Sequence, residues 1–326
     1  EIEEAILKVA RDCNFIMGSQ IDELERNLEK FTGSKYAISC SSGTDALLLA
    51  MMALDIQPDD EIITTPFTFF ATAETIAFLK AKPVFVDIDE KTYNIDPKKI
   101  EEKISSKTKA IIPVSLYGQP ADMDEINQIA KKYNLKVIVD GAQSFGSTYK
   151  GISDSNLGDI SCTSFFPAKP LGCYGDGGAL FTNDEKLADK IKSLRLHGQS
   201  IRYHHQYIGM GGRLDTIQAA VLNVKLKYYE KDLKLRQDVA VKYTKALNAK
   251  NIETPFVKSD RTSAWAQYSI RVQNRTELQT KLQNLGIPTA VHYPMPLHVQ
   301  ECFKYLNLKE GDFPISEKVS KEIMSL

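Results

Sequence analysis

The chain has one tryptophan, five cysteines and almost no net charge (−1) in 326 residues. Cys13, Cys40, Cys162, Cys173 and Cys302 are odd in number, far apart and without paired spacing. That excludes a disulfide framework and a structural zinc site, and it reads as a set of reduced thiols in a cytoplasmic protein with no metal. No apolar run approaches the ~18 residues of a membrane span, and no signal peptide precedes the first helix, so no membrane partner is expected. Lysine and glutamate are spread along the chain rather than blocked, which argues against a nucleic-acid surface. The turn after the first strand pattern lacks G-x-G-x-x-G, and a nicotinamide oxidoreductase would need it. Internal repeats and low-complexity linkers are also missing. Glu1 is not a methionine, and both ends fall within helical patterns, 1–10 and 315–326, so each end reads as trimmed.

What is present is an ordinary globular composition, 43% hydrophobic and 25% charged, long enough for one large domain and a smaller one. Short apolar runs at 36–40, 61–65, 84–87, 110–114, 136–140, 160–165 and 178–182 read as strands. Helical patterns at 45–54, 71–79, 123–133 and 184–194 lie between them. Such alternation predicts an α/β fold, a three-layer α/β/α large domain on a mostly parallel sheet. Ligand sites in such sheets lie beyond the carboxyl ends of the strands. From 215 to about 250 the pattern is long, helical and charge-rich, with a polar patch near 231–234 to bend it. Beyond it, segments 265–272, 276–285 and 290–293 suggest a small α+β C-terminal domain. The division expected is 1–212 for the large domain and 213–326 for the small one with its connecting helix.

Two residues carry the chemistry. Asp140 ends the apolar run Val137-Ile138-Val139, and Lys169 follows Ser164-Phe165-Phe166-Pro167-Ala168 just past another strand. A carboxylate at the tip of so apolar a strand needs a partner. A lysine held among Phe166, Pro167, Pro170 and Leu171 is pushed toward the neutral, nucleophilic amine. Pyridoxal 5′-phosphate (PLP) uses both, an amine to bind its aldehyde and an acid to keep its ring nitrogen protonated. Taken alone, Lys169 is an ordinary surface lysine and Asp140 an ordinary cap.

Other segments fit the same cofactor. Ser41-Ser42-Gly43-Thr44-Asp45 follows a strand and opens a helix, where small residues and free N–H groups accept a phosphate. Thr44 and the amide of Asp45 are the best donors there, although the same segment makes a routine N-cap. Ser164 adds a hydroxyl on that side of the sheet. Phe67, Phe69 and Phe70 follow a strand end, and Phe69 is the candidate to stack on a flat ring. Gln143, three residues past Asp140, can reach the ring's edge or its phenolic oxygen.

The segments SSGTDALLLA, TPFTFFATAE, VIVDGAQSFG, SFFPAKPLGCYGDGGA, RLDTIQAA and HYPMPLHVQ, in that order across nearly the whole chain, resemble the DegT/StrS-type sugar-nucleotide aminotransferases of fold type I. The resemblance implies that Lys169 bonds PLP covalently and that Asp140 pairs with its ring nitrogen. It also implies that Gly43, Thr44, Asp45 and Ser164 hold the phosphate, that Phe69 stacks on the ring and that Gln143 lies beside it. His292 and Tyr293 match the family's substrate-side segment, with a structural histidine as the alternative. Arg213 is either a substrate contact or an interfacial ion pair. The implied partners are L-glutamate, a UDP- or dTDP-linked ketosugar and a second copy of the chain, with active sites shared across a homodimer. Gly211 stands where the family carries an asparagine that reaches the neighbouring subunit's phosphate. The wording around Lys169 is similar to the branch acting on UDP-linked 2-acetamido-3-oxo-uronic acids. Two other readings stay open on this scaffold: a sugar dehydratase, which would carry histidine in place of Lys169, and a catalytically inactive regulatory protein.

Overall fold

The computed structural model describes residues 1–250 and 252–326. Helices α1 (Ile2–Asp12) and α2 (Ser19–Thr32) precede strand β1 (Tyr36–Cys40), and α3 (Gly43–Ala53) follows it. The chain then runs through β2 (Glu61–Thr64), α4 (Ala71–Phe78), β3 (Lys82–Phe85), β4 (Thr108–Ile111), α5 (Met123–Tyr133) and β5 (Lys136–Asp140). A small hairpin, β6 (Thr148–Tyr149) and β7 (Ile152–Ser153), leads to β8 (Ile160–Ser164), β9 (Gly178–Thr182) and α6 (Glu185–Leu194). A second hairpin, β10 (Gln199–Ile201) and β11 (His204–His205), precedes α7 (Thr216–Leu226) and α8 (Tyr229–Asn248). The chain closes with β12 (Ser269–Arg271), α9 (Arg275–Asn284), α10 (Pro314–Glu322) and β13 (Ile323–Ser325).

The main sheet has seven strands in the order β1-β9-β8-β5-β4-β2-β3. All are mutually parallel except β9, which is antiparallel to both β1 and β8. Both faces are covered, so successive strand residues alternate between two cores. Ile38, Ile62, Ala110, Ile138 and Ile160 face α3 and α6, packing on Leu49, Met51 and Ile191. Their neighbours Ile63, Ile111, Val137 and Val139 turn to the opposite face, against Met123, Ile126 and Ile129 of α5. On that same face Phe181 and Ala37 meet α2 and α7 through Leu24, Leu28 and Leu222. Each such fully buried aliphatic side chain is worth about 1.5–3 kcal/mol.

The three-layer α/β arrangement matches the expectation, and the boundaries of β1, β5, β9 and α5 coincide with it. Others shift by a residue or two at an end, and four elements differ most. The strand expected at 84–87 begins at Lys82, because its register against β2 starts with Lys82 opposite Glu61. The strand expected at 110–114 starts at Thr108 and ends at Ile111; Pro113 has no N–H for the ladder, and only Val114 pairs beyond it, bridging Asp140. The long helix breaks at Lys227-Tyr228 rather than at the polar patch near 231–234. The break turns Tyr229 into the core, where its hydroxyl donates to the Phe145 carbonyl at 2.5 Å. The final helix stops at Glu322, and Ile323–Ser325 pairs antiparallel with β12 instead, burying Ile323 and Met324. Around that two-stranded sheet, Ala240 of α8 packs with Tyr268, Ile270 and Met324. Among the described residues no helix is long and apolar enough to cross a membrane.

Candidate active site

The carboxyl ends of β5 and β8 open into a cavity of about 500 Å³. Its walls come from the start of α3, the turn before α4, the loop after β8 and the segment after α9. Asp140, Lys169, Gly43, Thr44, Phe69, Gln143, Ser164, His292 and Tyr293 all line it. Residues far apart in sequence, from Gly43 to Tyr293, therefore converge on one space.

Asp140 is buried at the tip of β5, as its apolar strand requires. The Thr72 hydroxyl donates to its Oδ2 at 2.7 Å and the Ala142 N–H to its Oδ1 at 3.2 Å. Burial raises its pKa, while those two donors and the charge of Lys169 oppose the rise. Lys169 lies in the turn after β8, its N–H bonded to the Phe166 carbonyl at 2.8 Å. Its amine has no hydrogen-bond partner among the described residues. Burial lowers the amine's pKa and the Asp140 charge raises it, with burial the stronger. The result is a free amine facing a held carboxylate.

The start of α3 shows why glycine precedes Thr44. A Cβ on Gly43 would stand 2.6 Å from the Cβ of Ser164, so only glycine lets the helix end approach β8. Likewise a Cβ on Gly178 would meet the Ser42 carbonyl oxygen at 2.4 Å. These contacts bring Ser42, Thr44 and Ser164 to one end of the cavity, beside the positive end of the helix dipole. Ser42 is the N-cap, and its hydroxyl accepts the Asp45 N–H at 3.0 Å. The Asp45 amide expected as an anion donor is therefore already used. The Asp45 carboxylate accepts the Ser41 hydroxyl at 2.5 Å, and Asp45 is not part of the wall.

Phe69 is half exposed at the mouth, with its ring 6.1 Å from that of Tyr293. Phe67, by contrast, is fully buried core. His292 bonds Ser325 through Nδ1 at 3.0 Å, and burial with the nearby Lys169 charge lowers its pKa. Its Nδ1 is tied into the C-terminal sheet while its ring faces the cavity. Arg213 is not brought into the wall; it lies beside Gly211, whose neighbour Gly212 accepts the Ser41 N–H at 3.0 Å. Sequence reasoning passed over Thr72, Tyr117 and Gln267. Thr68 and Thr72 stand one helical turn apart with their hydroxyls 3.1 Å from each other, a spacing that marks a shared face. Tyr117 and Gln267 offered no such signal.

The arrangement suits a flat ring with an aldehyde, a basic ring nitrogen and a phosphate: an amine, a carboxylate, an aromatic cover and an anion-binding helix end are each in place. Asp140, a buried acid held by only two donors, has capacity for a cationic N–H.

A sequence model of the DegT/DnrJ/EryC1/StrS aminotransferase family matches residues 1–326. The UDP-2-acetamido-2-deoxy-3-oxo-D-glucuronate aminotransferase of Pseudomonas aeruginosa is 52% identical over 326 residues, spanning 100% of this chain and 90% of that protein. The dTDP-3-amino-3,6-dideoxy-alpha-D-galactopyranose transaminase of Aneurinibacillus thermoaerophilus is 43% identical, spanning 100% of this chain and 89% of its own. Among solved structures, NtdA from Bacillus subtilis with bound cofactor PMP superposes with a TM-score of 0.91 at 32% identity, covering 100% of this chain and 76% of that one.

Proposed function

The chain belongs to the DegT/DnrJ/EryC1/StrS aminotransferase family, and on that premise we propose that it is a PLP-dependent enzyme that moves an amino group from L-glutamate to a nucleotide-linked ketosugar. The product is an amino sugar nucleotide for surface polysaccharide or glycan synthesis. The observation that carries the reading is the pairing, in one cavity, of a half-buried, unpartnered amine, Lys169, with a buried carboxylate, Asp140. The 52% identity to an enzyme named for a UDP-linked 3-oxo-glucuronate favours a substrate of that class.

When bound, PLP supplies an electron sink for the carbon that loses its proton. The chain does the rest. Asp140, steadied by Thr72 and Ala142, holds a proton on the ring nitrogen. Lys169 would be the amine that bonds the aldehyde and, once displaced, the base that takes the substrate's Cα proton and returns it to the cofactor's C4′ carbon on the other side of the nitrogen. Thr44 and Ser164 donate to the phosphate at the start of α3, and Gly43 permits their approach. Phe69 covers one ring face from the cavity mouth, and His292 contacts the sugar substrate.

We take the working unit to be a homodimer with shared sites. Ile201, Tyr203 and Ile208 stand in or next to the β10–β11 hairpin with 71, 74 and 92% of their surface exposed. Arg213, outside its own cavity, lies five residues past Ile208, and we take it to serve the neighbour's.

The test is an absorbance spectrum of the protein with PLP, before and after L-glutamate. A band near the visible edge that L-glutamate converts to a pyridoxamine-type band is expected. Lys169→Ala should lose both the band and turnover, and appreciable turnover in that variant would sink the assignment.

A further inference from the structure

Beside the cavity, one backbone N–H dictates the direction of two successive hydrogen bonds. Tyr117 lies in the turn after β4 at φ 57°, ψ 5°, a left-handed conformation uncommon for a residue with a Cβ. In that conformation its N–H donates to Oε1 of Gln143 at 2.7 Å. A backbone N–H can only donate, so the amide oxygen must face Tyr117 and the amide nitrogen must face away. That nitrogen lies 3.0 Å from the Tyr293 hydroxyl. An amide nitrogen also only donates, so the phenol oxygen accepts and its own proton points elsewhere.

Among the described residues, Gln143 is the only side chain hydrogen-bonded to the Tyr293 hydroxyl. Tyr293 lines the cavity with Lys169 and Asp140. The circuit closes on itself, because the Tyr117 hydroxyl donates to the carbonyl of His292, the residue before Tyr293. Tyr117 thus grips both the amide that orients Tyr293 and the backbone that carries it. Its own carbonyl accepts the Ala266 N–H at 3.0 Å, anchoring it to the segment before β12. Burial raises the phenol's pKa, so the hydroxyl keeps its proton at neutral pH.

We propose that Tyr293 is a one-way hydrogen-bond donor to an oxygen of the molecule bound in this cavity, with Gln143 and Tyr117 as the positioning residues that set its direction. The inference rests on the aminotransferase reading and adds to it the polarity of one contact. Two acceptors share the required chemistry, the phenolic oxygen of the cofactor ring and the keto or hydroxyl oxygen of the sugar.

Two substitutions test it. Tyr293→Phe removes the donor. Gln143→Glu keeps the size but replaces the donating nitrogen with a carboxylate oxygen, which accepts the Tyr293 proton and draws it out of the cavity. Each is compared with wild type in the pH titration of the holoenzyme's absorbance band, and in kcat and KM for the ketosugar half-reaction with a UDP-linked 3-keto sugar. If the acceptor is the ring oxygen, both variants shift the midpoint of the titration in the same direction. If it is a sugar oxygen, both lower kcat/KM in that half-reaction, by about 10- to 100-fold for a lost hydrogen bond to a charged or developing charge. In either case the double variant is no worse than Gln143→Glu alone. Wild-type behaviour of either variant in both arms, or losses that multiply in the double variant, would overturn the proposal. Should Tyr293→Phe fail to fold, wild-type behaviour of Gln143→Glu in both arms still overturns the proposal. A wild-type protein that shows no band would instead overturn the aminotransferase reading.

Discussion

Asp140 and Asp154 are two buried carboxylates on the same side of the sheet, and their surroundings give them different work. Asp140 opens onto the cavity; Asp154 is closed in behind it, accepting the Ser115 hydroxyl at 3.0 Å and the Ser144 hydroxyl. Burial, reinforced by the charge of Asp140, pushes the Asp154 carboxyl up to about 6 against the pull of its two serines. In the unfolded chain an aspartate titrates near 3.9. Between those values the folded state holds a proton that the unfolded state has lost, so stability falls as pH rises from about 4 to 6. The drop is worth about 3 kcal/mol. Denaturation of the wild type and Asp154→Asn across that range should show it in the wild type alone; parallel curves would refute the shift. For Asp140 the matching change is functional. Asp140→Asn keeps the shape but removes the charge proposed to hold the ring proton. The L-glutamate half-reaction should slow by on the order of 10²-fold or more, while Lys169 still produces a cofactor band. Single-turnover absorbance measurements separate the two.

At the scale of elements, the site depends on how closely the start of α3 presses on the sheet. Gly178 opens β9 with the Ser42 carbonyl against the position a Cβ would take, and backbone on both sides leaves nothing to swing away. Gly178→Ala should cost about 1–3 kcal/mol of stability and also loosen cofactor retention, read by denaturant unfolding and by dialysis of the holoenzyme. A variant that unfolds like wild type would show that α3 can retreat. The strands and helices here had visible sequence signatures: Val137-Ile138-Val139 followed by Asp140, and Ser42 at a cap position before Asp45. Their ends were less legible where pairing set them. Lys82 joins β3 because Glu61 lies opposite, and Ile323–Ser325 becomes a strand because β12 offers an edge.

At the scale of the whole molecule, the exposed apolar residues around the second hairpin need covering. Ile208, 92% exposed, is three residues from Gly211 and lies on the segment that bonds Ser41 just before the start of α3. On the proposed homodimer, Ile208→Asp should shift the protein from dimer to monomer in sedimentation and weaken cofactor retention together. A dimeric variant with a normal cofactor band would place the interface elsewhere.

Length, alternation and local pattern determined by themselves that the chain makes a three-layer α/β fold, and that an acid stands at the end of one strand and a lysine just past another. Those features are local, because an apolar run of five residues must be buried wherever it goes, and its last polar residue must emerge at the strand's end. Tertiary structure alone decided that Thr72 braces Asp140. It alone turned Tyr229 inward to break the long helix, and aligned Tyr117, Gln143 and Tyr293 in a directed chain. Such pairings join residues up to 150 positions apart. No spacing rule reaches that far, since which donor meets which acceptor is set only when the packed layers bring their ends together.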